Sequence, residues 1–416
     1  MKTDKTLKMK LLKNKDKEIL NIALPAIVAN ITVPLLGLVD VAITGHLGNA
    51  AYIAAIAVGS MLFNVIYWVF GFLRMGTSGM TAQAYGRGDS AETMLLLMRG
   101  LCVALAVALA VLVLQRPLLA LAVSVMGVEP SLQPLVRTYF QICVWGAPAM
   151  LCLYAFTGWF IGLQNTRITM TVSIVQNIVN IVASLVLVYG LGMKIDGVAT
   201  GTLIAQWGGL LVAASYACLK HRGLLRSLSL RAVTRGEALM QFFNVNRDIF
   251  LRTLFLVAVN LFFVSAGATQ GTVVLAVNTL LMQLFTLFSY VMDGFAYAGE
   301  ALCGKYAGAG DRTGFHATVR RLFVWGAILT TAYTAVYALG GNTFLSLLTD
   351  DAPVLAAAAR YLPWAVAIPV AGVAAFVWAG VFIGTTSTRA MLLSSAVAGV
   401  LFFAVFFAAA PALHNH

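Results

Sequence analysis

Eleven apolar stretches restrict the fold of this chain more than any other feature of its sequence. About 20 apolar residues in a helix cross the hydrocarbon core of a bilayer. The stretches lie at residues 20–43, 51–83, 95–115, 135–160, 169–189, 198–219, 249–266, 272–298, 318–338, 354–381 and 390–410. Only 10% of the residues are charged, against roughly 25% in soluble domains. We therefore predict an all-α polytopic membrane protein.

Basic residues set the expected orientation of the spans. The first 17 residues hold seven lysines, and most other basic residues lie in the loops that follow every second span. Because cytoplasmic loops carry an excess of Lys and Arg, we expect a cytoplasmic N-terminus. Arg252 is counted with the cytoplasmic linker, which leaves Arg74 as the only basic residue well inside a span. The basic residues of these cytoplasmic segments account for the net charge of +12. No nucleic-acid partner is therefore expected.

Sequence motifs of catalysis are missing. The five histidines lie in predicted loops or at span ends, and no HExxH, GxSxG or P-loop pattern occurs. These motifs would be needed for a zinc protease, a serine hydrolase or an ATP-driven pump. The five cysteines show no metal-ligand spacing, so we expect reduced core residues. We predict a protein that is not an enzyme, has no metal or cofactor, and draws its energy from an ion gradient.

The two halves of the chain repeat at a constant offset of 222 residues. Gly86-Arg87-Gly88-Asp89 matches Gly308-Ala309-Gly310-Asp311, and Phe160-Ile161-Gly162 matches Phe382-Ile383-Gly384. A shared offset without gaps indicates duplicated units. With six spans in the first half, both halves begin inside, so the repeat is parallel about an axis along the membrane normal.

This repeat predicts two parallel six-helix bundles. The expected segments are a basic cytoplasmic arm (1–19), an N-lobe with helices 1–6 (20–222), a cytoplasmic linker (223–247) and a C-lobe with helices 7–11 (248–416). The repeat partner of the sixth span would begin beyond residue 416. We therefore expect that a twelfth helix is missing from this sequence. A natural eleven-span protein with an external C-terminus is the alternative.

Asp40 is the first candidate functional residue, because it is the one charge in the apolar stretch 20–43. A carboxylate at such a position costs about 2.5–3.5 kcal/mol on insertion scales and is functional by default. Low polarity favours its neutral form, so the group is suited to exchange protons. Pro25 and Pro34 lie in the same helix and each can kink it. The alternative is that Asp40 lies near the outer end of its span, in water, without a role.

Other polar residues in the spans are weaker candidates. Asp293 is deep in its stretch, whereas Glu300 is near the cytoplasmic end and is expected to be solvated or paired with Lys305. In the fifth span Asn177 and Asn180 can share a helix face. They are expected either to bond neighbouring helices, which is common in membranes, or to contact Asp40 and a coupling ion.

Five motifs together resemble the multidrug and toxic compound extrusion (MATE) transporters, in the DNA-damage-inducible protein F (DinF) branch. They read NITVPLLGLVDVAITGHLG, TAQAYGRGD, NRDIFLR, MDGFAYAGEA and VFIGTTSTR. The resemblance implies a twelve-helix fold and export of cationic or amphipathic drugs by antiport with protons or sodium. It implies that Asp40 is the proton-coupling aspartate and that Asn180, and with it Thr202 and Tyr139, line the N-lobe pocket.

Two positions depart from the pattern of this family. Ser184 and Ala379 stand where relatives often carry aspartate. The N-lobe would then hold one carboxylate, which favours protons over a sodium cage with several oxygen ligands. We expect a monomeric proton-coupled exporter in the bacterial inner membrane, with Asp40 as coupling residue and with Asn177 and Asp293 as further pocket residues. A sodium-coupled exporter and a lipid-linked precursor flippase of the same superfamily are the alternatives.

Overall fold

The structure is a computed structural model that describes residues 2–45, 50–223, 230–233 and 236–413. His46, His414 and His416 lie outside these residues, as do parts of the predicted linker. The helices of the first half are α1 (Lys2–Gly45), α2 (Ala50–Val69), α3 (Phe72–Gly86), α4 (Ser90–Val113), α5 (Gln115–Val125), α6 (Gln133–Cys143), α7 (Ala147–Gly162), α8 (Thr166–Leu185) and α9 (Ile195–Lys220). Those of the second half are α10 (Leu230–Val233), α11 (Gly236–Thr269), α12 (Thr272–Gly308), α13 (Arg312–Leu348), α14 (Ala352–Gly384) and α15 (Thr388–Leu413).

The predicted all-α membrane fold is confirmed. Ten helical segments within the described ranges, not counting α1, are long and apolar enough to cross a membrane. Helix α1 contains the first predicted span, and α2 with α3 forms the second. No β-strand is assigned in the part of the chain that the structure describes.

Two helices begin earlier than their apolar stretches predict. Helix α1 includes the basic arm, and α11 begins at Gly236, within the predicted linker. Phe242 and Ile249 are fully buried and pack into the apolar core of the N-lobe. This packing explains why the polar start of the seventh span is helical. We use N-lobe for α1–α9 and C-lobe for α11–α15 below.

The internal repeat recurs in the backbone contacts of α3 and α12. A Cβ atom on Gly86 would lie 2.0 Å from the carbonyl oxygen of Lys305, and one on Gly308 would lie 2.1 Å from the carbonyl oxygen of Gln83. These two contacts exchange under the 222-residue offset. The ends of α3 and α12 at Gly86 and Gly308, on the predicted cytoplasmic side, therefore meet at backbone distance, about an axis that relates the two halves.

A second pair of glycine contacts, one in each lobe, is also related by the 222-residue offset. A Cβ on Gly158 of α7 would lie 2.2 Å from the carbonyl oxygen of Arg74, and one on Gly380 of α14 would lie 2.4 Å from that of Ala296. The offset is again 222 for both partners. Glycine lets two helix backbones approach this closely, as is common in membrane helix packing.

Two arginines related by the repeat tie the lobes together on the predicted cytoplasmic side. Arg99 of α4 donates to the carbonyl groups of Ala232 and Val233 in α10. Arg321 of α13 pairs with Asp16 at the start of α1, with an Nε–Oδ1 distance of 2.7 Å. Each arginine thus contacts the segment that leads into the other lobe.

Candidate functional site

Side chains of α8 bond the backbone of α1 where prolines interrupt it. Pro25 has no N–H group, so the carbonyl of Asn21 loses its helical donor. The Thr166 hydroxyl donates to the carbonyl of Ile22 at 2.9 Å and reaches that of Asn21 at 3.5 Å. The Thr166 side chain therefore joins α8 to α1 at the first proline.

The same face of α8 continues along α1 to the second proline, Pro34. Ser173 lies 3.4 Å from the carbonyl oxygen of Ala29, and the Asn177 amide donates to the carbonyl of Thr32 at 3.0 Å. Both bonds go to carbonyl groups within two residues of Asn30, whose carbonyl Pro34 leaves without its helical donor. A row of polar side chains on α8 thus follows the bendable part of α1.

The register of α1 and α8 places Ser184 level with Asp40. From Thr166 to Tyr189, the α1 carbonyl groups that accept hydrogen bonds lie 144 to 146 residues earlier in the chain. A constant difference means that the helices run in the same direction. Ser184 and Asp40 differ by 144 residues and so occupy the same level.

Asp40 lies inside the N-lobe. The residue is 9% exposed, and its charge is close enough to act on Tyr139 and Cys143 of α6. Its Oδ1 atom is buried and accepts no hydrogen bond from any residue that the structure describes. A position in bulk water at the outer end of the span, the alternative drawn from the sequence, is therefore wrong.

Asn180 and Thr202 are brought together, but the predicted bond to Asp40 is not formed. Asn180 is fully buried and donates to the Thr202 hydroxyl at 3.1 Å. The Asn177 amide is used by the carbonyl of Thr32 in α1. The expectation that one of these amides bonds Asp40 is wrong for this conformation, whereas the alternative, bonds to neighbouring helices, is observed for both.

Tyr139 occupies the side of the pocket formed by α6. Its hydroxyl lies 3.1 Å from that of Ser60, and its ring fills the space beside Gly59, where a Cβ would lie 2.4 Å from the ring. The bond to Ser60 directs the tyrosine hydroxyl toward α2. Tyr139 thus bounds the space near Asp40.

Two buried oxygens of α8, near the level of Asp40, belong to side chains that contact α9: Asn180 bonds Thr202, and Ser184 Oγ lies against Gly201. Among the described residues, Asn180 Oδ1 and Ser184 Oγ are buried without a hydrogen-bond partner, as Asp40 Oδ1 is. Such atoms are rare, because leaving a buried polar group unpaired costs about 1–3 kcal/mol. A protonated Asp40 would gain an O–H group that can donate a hydrogen bond.

A second charged cluster joins the two lobes. The guanidinium of Arg74 in α3 lies 3.1 Å from Oε2 and 3.4 Å from Oε1 of Glu300 in α12. The Ser78 hydroxyl donates to Glu300 Oε2 at 2.5 Å. The side chains of Arg74 and Glu300 are 12% and 1% exposed. Ser78 and Glu300 are themselves repeat partners, so the pair lies close to the axis between the lobes.

This cluster corrects two expectations. Glu300 is buried and paired with Arg74, whereas Lys305 lies over the ring of Tyr306, with 5.3 Å between the ammonium and the ring centroid. Arg252 is not a linker residue: it lies at the middle of α11, half-buried, within the electrostatic range of Arg74 and Asp293. Both errors arose because position along the chain was used as a measure of depth, and α11 and α12 extend well beyond their most apolar segments.

Asp293 lies seven residues before Glu300 in α12, which is about two helical turns. It is half-buried, and the charged groups near it are Arg74, Glu300 and Arg252. No hydrogen bond to its carboxylate occurs within the described ranges. It is therefore separate from the Asp40 pocket, and the structure divides the predicted site residues between two places.

Ser78 and Tyr297 were missed by sequence reasoning. Ser78 looks like an ordinary small residue in a span, yet the 222-residue offset pairs it with Glu300. Tyr297 lies under the guanidinium of Arg74, with 4.3 Å between Arg74 Cζ and the ring centroid. The repeat was the signal that could have found the first, whereas nothing in the sequence pointed to the second.

Comparison with known proteins gives the family. The MatE family profile matches residues 25–186 and 249–407. DNA damage-inducible protein F of Escherichia coli strain K12 is 37% identical over 410 residues, which are 98% of this chain and 89% of that protein. A probable multidrug resistance protein NorM of Shewanella oneidensis is 30% identical over 205 residues, 48% of this chain and 44% of that protein.

Solved structures agree on the fold. The Vibrio cholerae MATE transporter VcmN in its bent form has a TM-score of 0.83 at 17% identity, with 98% of this chain and 92% of that chain covered. An outward-facing multidrug resistance MATE family transporter has a TM-score of 0.82 at 19% identity, covering 93% and 86%. The predicted MATE fold and the DinF resemblance are confirmed, and this chain belongs to the MatE family of multidrug and toxic compound extrusion transporters, which reside in the membrane as multi-pass proteins.

Proposed function

We propose that this chain exports cationic or amphipathic compounds across the bacterial inner membrane in exchange for protons, with Asp40 as the coupling carboxylate. It would act as a monomer with a cytoplasmic N-terminus and without a metal or organic cofactor. The observation that carries the proposal is the buried Oδ1 atom of Asp40, which has no hydrogen-bond partner among the described residues.

The geometry suggests how protonation would change the shape of α1. An ionised Asp40 can only accept hydrogen bonds, whereas a protonated one also donates. A new bond to Asn180 or Ser184 would pull the end of α1 toward α8. Pro34 allows this movement because the helix already lacks a backbone bond there. The bonds of Ser173 and Asn177 to α1 would then re-form in another register, and the pocket would release its substrate.

The charge of the pocket fits this direction of exchange. A proton on Asp40 removes a negative charge that would otherwise attract a cationic substrate. Protonation of Asp40 from outside would therefore weaken substrate binding, and loss of the cationic substrate would in turn favour protonation. Asn180, Thr202 and Tyr139 would shape this pocket, whereas Asp293 would act in the space between the lobes.

Dye transport in proteoliposomes tests the proposal. A proton gradient imposed at constant sodium should drive rhodamine 6G transport, and a sodium gradient imposed at constant pH should not. Asp40→Asn should remove the gradient-driven component while the protein still inserts and binds dye. Asp350→Asn is the matched control, because Asp350 is an exposed loop acid.

Two results would contradict the proposal. Transport that follows the sodium gradient alone would favour the sodium-coupled alternative. Undiminished proton-driven transport by Asp40→Asn would show that another group carries the proton.

A further inference from the structure

The guanidinium of Arg74 lies in a set of groups that suits any organic cation. Two contacts to the carboxylate of Glu300 measure 3.1 and 3.4 Å. The ring of Tyr297 lies under the guanidinium at 4.3 Å. Carboxylates and aromatic faces bind cations through charge and the ring quadrupole, and both effects strengthen when water is excluded.

The carboxylate of this set is held in place by a further residue. Ser78 donates to Glu300 Oε2 at 2.5 Å, while the Arg74 guanidinium contacts both carboxylate oxygens. Glu300 and Tyr297 lie three residues apart in α12 and so share one helix face. Glu300 and Tyr297 are therefore the part of this set that α12 supplies, whereas Arg74 and Ser78 belong to α3.

That cation comes from the other lobe. Arg74 belongs to α3, whereas Glu300 and Tyr297 belong to α12. The inner ends of the same two helices are in backbone contact at Gly86 and Gly308, so this structure is closed on that side. Opening the inner side would separate α3 from α12 and would draw Arg74 away from the carboxylate.

We infer that Glu300 and Tyr297 form a binding site for the cationic group of the substrate when the inner side is open, and that Arg74 fills this site when it closes. The inference rests on the proposed export of cations. It adds a step: closure of the inner side returns Arg74 to Glu300 and displaces the substrate cation toward the outer cavity. Buried and unpaired charge is avoided in both states, because the carboxylate always has a positive partner.

Equilibrium binding of rhodamine 6G to detergent-purified protein tests the site, with fluorescence anisotropy as readout at fixed pH and salt. Arg74→Gln removes the internal competitor and should lower the Kd about 10-fold, the effect of one charge-assisted contact. Glu300→Gln should raise the Kd about 10-fold or more, and the double variant should resemble Glu300→Gln. A merely structural ion pair would give loss of binding in both single variants.

Arg252→Gln is the matched control for long-range electrostatics. Arg252 lies in the same region, but no ion pair joins it to Glu300 among the described residues. Its removal should change the Kd less than about 3-fold. An equal tightening in Arg252→Gln, or a weaker or unchanged Kd in Arg74→Gln, would overturn the inference.

A further variant covers the case in which Arg74→Gln does not fold. Tyr297→Leu keeps the ion pair and removes the ring, and it should raise the Kd for the cationic dye about 3-fold or more, since a cation–π contact contributes about 0.5–2 kcal/mol. A neutral dye of similar size should bind Tyr297→Leu and wild type equally, and equal binding of the cationic dye would refute the site. None of these binding measurements requires an ion gradient. A failure of Asp40-dependent coupling would therefore appear only in the transport assay and would be distinguishable from failure of this binding site.

Discussion

Removing one partner of the Arg74–Glu300 pair should destabilise the protein far more than removing both. We consider Glu300→Met, Arg74→Met and the double variant, because methionine has a similar volume and no charge. In Glu300→Met the guanidinium stays within the lobe contact, where its side chain is only 12% exposed. It would then lose all its contacts to the carboxylate.

The expected magnitude follows from burial. Breaking a buried ion pair costs about 3–5 kcal/mol, whereas replacing both partners by apolar residues is neutral or stabilising. With about 2.1 cal/mol/K per residue, 416 residues give an unfolding entropy of roughly 0.9 kcal/mol/K. Each single variant should therefore lose about 3–6 °C in Tm, and the double variant should lie within about 1 °C of wild type or above it.

The cysteines of the chain supply the assay. Cys143, Cys152 and Cys303 are free and buried, so a thiol-reactive fluorophore reports their exposure as detergent-purified protein unfolds on heating. If the two single losses simply add in the double variant, the two residues do not act as a pair. If Glu300→Met alone has wild-type Tm, the guanidinium is not dependent on that carboxylate.

Three other outcomes follow from the repeat and the pocket. Asp89→Ala and Asp311→Ala remove equivalent N-caps and should each cost about 0.5–2 kcal/mol in the same thermal assay; a loss in only one would deny their equivalence. Gly380→Ala forces a Cβ to 2.4 Å from a facing carbonyl oxygen and should lower stability by about 1–3 kcal/mol, while Gly340→Ala, with no atom within 4 Å, should be neutral or slightly stabilising. Ser184→Asp places a second carboxylate level with the first, and we expect sodium to stimulate dye transport in this variant; no response to sodium would show that a second acid alone does not create a sodium site.

Asp40 was found from sequence because its signal is local. A single charge in a long apolar helix is visible in one stretch of residues, and its cost in lipid is independent of the fold. The residues that surround Asp40 in the structure could not be identified from that stretch, because they are distant in the chain. The register of α1 and α8, which brings Ser184 level with Asp40, depends on bonds between residues about 145 positions apart.

Glu300 shows the opposite case. Its sequence neighbours, Lys305 among them, suggested a solvated end of a helix. The structure buries it because α3 crosses α12 there and brings Arg74 into contact. The 222-residue offset pairs Glu300 with Ser78, but no property of residues 293–305 reveals that Arg74 faces them.

The sequence by itself determined the number and order of the spans, the internal repeat and the presence of one acid in the first span. Hydrophobic length, residue spacing and the cost of a charge in lipid act along the chain, so they can be read without a fold. Only the tertiary structure decided which charges meet, Arg74 with Glu300 and Arg252 near Asp293, and that Asp40 Oδ1 is buried without a hydrogen-bond partner among the described residues. The reason is that pairing depends on how the two lobes cross at the axis between α3 and α12, and that crossing is set by glycine contacts between segments far apart in the chain.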